Sequence, residues 1–129
     1  MIKITSDPIV PENIAGSLLT DDCGAVVSFI GTVRNRSNDG KAVIALQIEP
    51  ADEDAEVKLG RIENEIRRKW PIKDIIINRR IGRLKVGEIA LVAAVAAVHR
   101  QEAFQACEYA VDMIKKGGIT LEQDIFKNG

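Results

Sequence analysis

The chain has 129 residues, 46% of them apolar and 29% charged, with a formal net charge of −1. Those figures describe one folded domain, residues 1–129, and argue against a disordered segment or a strongly basic nucleic-acid binder. No apolar run approaches the roughly 18 residues that cross a bilayer, and the N-terminal MIKITSDPIVPE lacks a secretory layout, so a cytoplasmic location away from membranes is expected.

In chain order, IKIT reads as a short strand and PENIAGSLL as a helix with Pro11 in its first turn. GAVVSFIGTV, residues 24–33, is β-branched and apolar, which predicts a strand buried on both faces. Residues 34–40 form a polar loop ending in the turn signal Asp39-Gly40. KAVIALQIE, residues 41–49, predicts a strand pairing with the preceding one. Its inward set is either Val43 and Ala45 or Ile44, Leu46 and Ile48. Residues 51–70 predict the clearest helix, with Ala55, Leu59, Ile62 and Ile66 on one stripe and Trp70-Pro71 as its end. The acids at its start and the basic residues at its end both suit the helix dipole, so those acids are assigned no chemistry.

DIIINRRIGRL, residues 74–84, reads as one strand followed by a turn at KVGE. Residues 88–116 divide at His99-Arg100 into a buried strand, EIALVAAVAAV, and an amphipathic helix. Its buried stripe is Ala103, Cys107, Ala110 and Ile114, flanked by Phe104 and Val111. ITLEQDIF closes the chain as a last strand. Hairpins mixed with three helical segments predict an α+β fold with a mixed, mainly antiparallel sheet.

Cys23 and Cys107 form no C-x-x-C motif and the chain has one histidine, so no metal site is expected, and the two thiols read as reduced and buried. Residues 49–65 hold seven acids against Lys58 and Arg61. Basic residues gather instead at Arg34 and Arg36, at Arg79, Arg80, Arg83 and Lys85, at Arg100, and at Lys115 and Lys116. These clusters are either separate solvated patches or converging walls of one anion site.

Three places in the pattern suit chemistry. His99-Arg100 stands where a buried strand meets a helix N-terminus, whose N–H groups and arginine fork attract anions, though a solvated junction has the same spacing. Arg34 directly follows a buried strand, where a rigid element positions a binding group. Lys115 and Lys116 in VDMIKKGG suit either the negative end of a helix dipole or, for Lys115, proton transfer. Neither glycine-rich nucleotide fingerprint is present, and balanced charge with few aromatics speaks against nucleic acid as a partner.

The collinear pieces G-T-V-R-N at 31–35, W-P at 70–71, R-I-G-R-L-K-V-G-E at 80–88, H-R-Q-E-A-F at 99–104 and D-M-I-K at 112–115 resemble the large, catalytic subunit family of molybdopterin synthase. The resemblance implies an α/β-hammerhead type of α+β fold and a homodimer. Each end of that dimer binds a small ubiquitin-like sulfur-carrier subunit, making a heterotetramer. It implies molybdenum cofactor biosynthesis: sulfur passes from the thiocarboxylated C-terminus of that subunit to cyclic pyranopterin monophosphate, and two transfers give molybdopterin. Lys115 matches the family's essential lysine. Arg34, His99 and Arg100 match residues that bind the phosphate-bearing pterin, with Lys116 beside them. No metal or resident cofactor is implied.

Two departures stand out. The family has a second lysine seven residues after the first, where this chain has Glu122, and a histidine where this chain has Arg79. A carboxylate at 122 repels an anionic ligand. That raises a second reading, a non-catalytic relative acting as a binding or assembly subunit, and makes Lys116 or Lys127 the candidate replacement cation.

Overall fold

Strand β6, Ile89–Ala97, is buried on both faces, and the other elements are arranged around it. The computed structural model describes residues 1–128, in the order β1 (Ile2–Thr5), α1 (Pro11–Leu18), β2 (Ala25–Thr32), β3 (Val43–Pro50), α2 (Ala55–Lys69), β4 (Ile72–Arg80), β5 (Gly82–Lys85), β6, α3 (Arg100–Lys116) and β7 (Thr120–Phe126). One sheet has four strands in the order β1-β4-β6-β2, and the other has three in the order β5-β3-β7. Only the β1–β4 pair is parallel among the described pairings. The fold is α+β and mainly antiparallel, as expected.

Alternation along the central strands sorts the core into two layers. Ile75 and Ile77 of β4 and Leu91, Ala93 and Val95 of β6 face α2 and α3. Ile76 of β4 and Val92, Ala94 and Ala96 of β6 face α1 through Ile14 and Leu18. The α2 stripe Ala55, Leu59, Ile62 and Ile66 is buried as its spacing predicts. So is the α3 stripe, in which Ala103, Ala106 and Ala110 are fully enclosed. Ala106, Cys107 and Ala110 of α3 pack against Leu91, Ala93 and Val95 of β6, and the Cys107 thiol donates to the Ala93 carbonyl at 3.4 Å. Burial pushes the Cys107 thiol up, which keeps it unreactive. Cys23 is only half-buried. A third, smaller cluster of Val33, Ile48, Leu84 and Ala90 joins the two sheets.

Three expectations change. Residues 24–33 do not form a doubly buried strand: β2 is an edge strand, and Ser28, Ile30 and Thr32 face outward, with Ile30 46% exposed. An apolar β-branched run has the same composition whether or not a second strand flanks it. Residues 41–49 pair with β5 and β7 rather than with the preceding strand, and Val43, Ala45 and Ile48 are buried, a mixture of the two alternating sets. Residues 74–84 are two strands in two sheets. The chain leaves the first sheet at Ile81 and enters the second at Gly82, whose φ of 107° is closed to ordinary β geometry. Beyond α3, Gly117 keeps a right-handed conformation and Gly118 takes the left-handed one, with φ 64°.

An added Cβ at Gly82 meets nothing within 4 Å, so the constraint there is purely torsional. Gly82→Ala is therefore expected to lower stability by roughly 1–2 kcal/mol, read as a reduced urea midpoint with an unchanged m-value.

Candidate functional site

The seam between the two sheets is where charged side chains gather. Lys115 comes from the last turn of α3, Arg34 and Arg36 from the loop after β2, and Arg79 from the end of β4. Glu122 and Asp124 come from β7. Because side chains on a strand alternate, Thr120, Glu122 and Asp124 share the face turned to the seam, while Leu121 points away at 63% exposure. Lys115, Arg34, Arg36, Arg79, Glu122 and Asp124 line a cavity of about 190 Å³ together with Phe29, Leu46 and Leu91. A second cavity of about 310 Å³, beside the α3–β7 turn, shares Arg79, Leu91, Lys115 and Glu122 with the first. Four cationic side chains against two carboxylates make the first cavity attractive to anions.

Arg79 is the buried charge of this site, 6% exposed. Its Nη1 donates to the Ala90 carbonyl at 3.2 Å, and its Nη2 donates to Thr120 Oγ1 at 3.0 Å and to Glu122 Oε1. Its Nε has no partner. The guanidinium thus ties the four-stranded sheet to β7. Glu122 does not stand as a lone repulsive carboxylate, because it is paired with this arginine. Arg34 is exposed, and its Nη2 donates to Asn38 Oδ1 at 2.8 Å within its own loop.

The candidate residues divide into two groups. Lys115 and Arg34 meet at the seam cavity. His99 and Arg100 line a separate surface pocket with Gln101, Glu102, Phe104 and Gln105. Lys115 follows Arg100 by fifteen positions along α3, a rise of about 22 Å, so one chain does not bring them onto one small ligand. His99 is the N-cap of α3 but makes no side-chain cap hydrogen bond. Lys116 is exposed on the last turn and does not line the seam cavity, and Lys127 lies with Lys41 and Phe126 at the far end of β7. The cation beside Glu122 in the cavity is Arg79.

Arg79 and Arg36 belong to the basic clusters named in the sequence, which did not single them out as site residues; the structure brings both to the cavity with Arg34 and Lys115. A signal for Arg79 existed: it continues the Ile75, Ile77 phase of β4, so an arginine falls where the alternation calls for a core residue. Nothing in the pattern of 34–42 places Arg36. Among the described residues no group of His, Cys, Asp and Glu side chains is placed to hold a metal, and no helix is long and apolar enough to cross a membrane.

The family model described as MoaE protein matches residues 4–117. A molybdopterin synthase catalytic subunit from Thermoplasma volcanium is 38% identical over 99% of this chain and 93% of its own length. A crystal structure of molybdopterin synthase from Staphylococcus aureus superposes with a TM-score of 0.89 at 36% identity, covering 98% of this chain and 91% of that one. A chain from a complex of subunits 1 and 2 of the Helicobacter pylori molybdopterin-converting factor shares the fold alone, with a TM-score of 0.80 at 13% identity over 99% and 86% of the two chains. The match over most of the chain, in sequence and in structure, shows that it belongs to the MoaE protein family.

Proposed function

We propose that this chain is the catalytic subunit of a molybdopterin synthase, acting in the cytoplasm in molybdenum cofactor biosynthesis. It moves sulfur from the thiocarboxylated C-terminus of a small ubiquitin-like carrier subunit to cyclic pyranopterin monophosphate. The observation that carries this reading, beside family membership, is Lys115 at the edge of a cavity enriched in arginine. Each transfer forms a bond from the thiocarboxylate sulfur to a side-chain carbon of the pterin while a C–O bond at that carbon breaks, its oxygen leaving as water or as a phosphate oxygen. Water then adds to the acyl carbon, the acyl C–S bond breaks, and the carrier is left with a carboxylate. Negative charge builds on the acyl oxygen during that step. The Lys115 ammonium suits its stabilisation, or the delivery of a proton to the departing group. Arg34 and Arg36 suit the phosphate of the pterin.

The alternative of a non-catalytic relative drew on Glu122. With Arg79 supplying a cation beside that carboxylate, nothing favours it.

His99 and Arg100 are too far from Lys115 to act on the same molecule within one chain. A homodimer that sets the α3 N-terminus of a second copy against the seam cavity resolves this. The open edge of β2, with Ile30 exposed, and Phe104, 60% exposed, supply apolar surface for such a contact. Lys116 is assigned to the helix end, where it complements the dipole and adds positive potential near the cavity mouth.

Lys115→Ala is expected to cut molybdopterin formation by about 10²–10⁴-fold in an assay with thiocarboxylated carrier and purified precursor. Its melting temperature should hardly move, since Lys115 is exposed. Normal turnover in this variant overturns the assignment. Arg100→Ala alone should also be inactive. Refolding it together with Lys115→Ala should restore about a quarter of wild-type activity, because half of the sites in each mixed two-fold dimer are then intact. No recovery would place Arg100 in the same chain's site or outside the reaction.

A further inference from the structure

Arg79 is more than a structural tie. A guanidinium offers five N–H donors, and here three hydrogen bonds are made while Nε has none. Its one anionic partner, Glu122, behaves differently from its neutral ones. The Ala90 carbonyl belongs to the doubly buried strand, and Thr120 sits beside buried Ile119. The Glu122 side chain is 47% exposed and lines both cavities together with Lys115. It stands on β7, an edge strand of its sheet. A carboxylate that is half in solvent loses little when it swings outward. A buried guanidinium left without an anion loses far more. The pair is therefore stable only while some anion occupies the Glu122 position, and that position opens onto the cavity.

We infer that Arg79 is an anion-binding group of the seam cavity, and that Glu122 is a resident carboxylate which an incoming carboxylate-type group displaces. The identity of the occupant rests on the sulfur-transfer reading above: a thiocarboxylate has the shape of a carboxylate with one oxygen replaced by sulfur, and the Glu122 head group already shows that a planar, singly charged acid fits Arg79. The hydrolysed tail, a carboxylate, fits in the same way. Glu122 then competes with both forms and limits how tightly the spent carrier is held. No bond is made or broken in this exchange. Arg79 binds and orients the acyl end while Lys115 faces it from α3.

The test follows the Nε–H signal of Arg79 by nitrogen–proton NMR on the full chain during titration with thioacetate, acetate and inorganic phosphate. Thioacetate and acetate should shift the signal, and Glu122→Gln should lower their apparent Kd by at least about fivefold. Arg79→Lys should abolish that gain, and circular dichroism would establish that both variants are folded. An unmoved Arg79 signal, or equal or weaker binding in Glu122→Gln, overturns the proposal. Phosphate binding Arg79 more tightly than thioacetate also overturns it, by giving the group to the pterin phosphate instead. Titration with the carrier subunit ending in Gly-Gly separates the two readings. If the wild type ignores the carrier while thioacetate still reaches Arg79, the sulfur-transfer reading falls and the anion site stands.

Discussion

A strand with helices on both sides has no face left for polar groups, and β6 is such a strand from Ala90 to Ala97. Its alternating sets, Leu91, Ala93 and Val95 against Val92, Ala94 and Ala96, belong to two different core layers. Ala93 is the one alanine of β6 in the layer that α3 covers, and Cys107 and the α3 alanines meet that layer with small side chains. Large residues on either side would push α3 away from the sheet. Lys115 rides on the end of that helix, so its position at the seam is fixed by packing one to three turns away rather than by contacts of its own.

The seam also carries the one buried charge named among the described core residues, Arg79. Burial of a guanidinium is tolerated when an anion and neutral acceptors surround it, and here the acceptors come from both sheets. The same residue that joins the two sheets therefore fixes where positive charge is concentrated. The cation of this pair stands on β4 and the carboxylate on β7.

Much of this was legible in the sequence. The α2 and α3 stripes, the strand-to-helix junction at His99-Arg100 and the closing strand are all set by local periodicity, and they stand where the pattern puts them. What escaped depends on long-range pairing. The edge position of β2 is a property of its neighbours, since Val26, Val27 and Ile30 look alike whether or not a second strand lies beside them. The division of residues 74–84 turned on one glycine in RRIGRL, Gly82, whose torsion is invisible in composition. At the site, Lys115 and Arg34 were legible from family motifs, and the structure brings them together. The meaning of Glu122 was not, because it depends on Arg79, 43 positions away on another sheet.

Helix α3 carries candidate groups at both of its ends, a histidine–arginine pair at the first turn and a lysine at the last. A helix is a rigid spacer in which each added residue turns everything beyond it by about 100° and advances it by about 1.5 Å. Insertion or deletion of a single residue anywhere in Arg100–Lys116 would rotate one end relative to the other and also break the small-residue stripe between them. The loop at 34–42 is under no such restriction, since its ends are held by Val33 and Val43 while its middle is exposed. Within this fold, length variation is therefore more open to the exposed loop at 34–42 than to α3, whose 17 residues set a fixed spacing between its two ends.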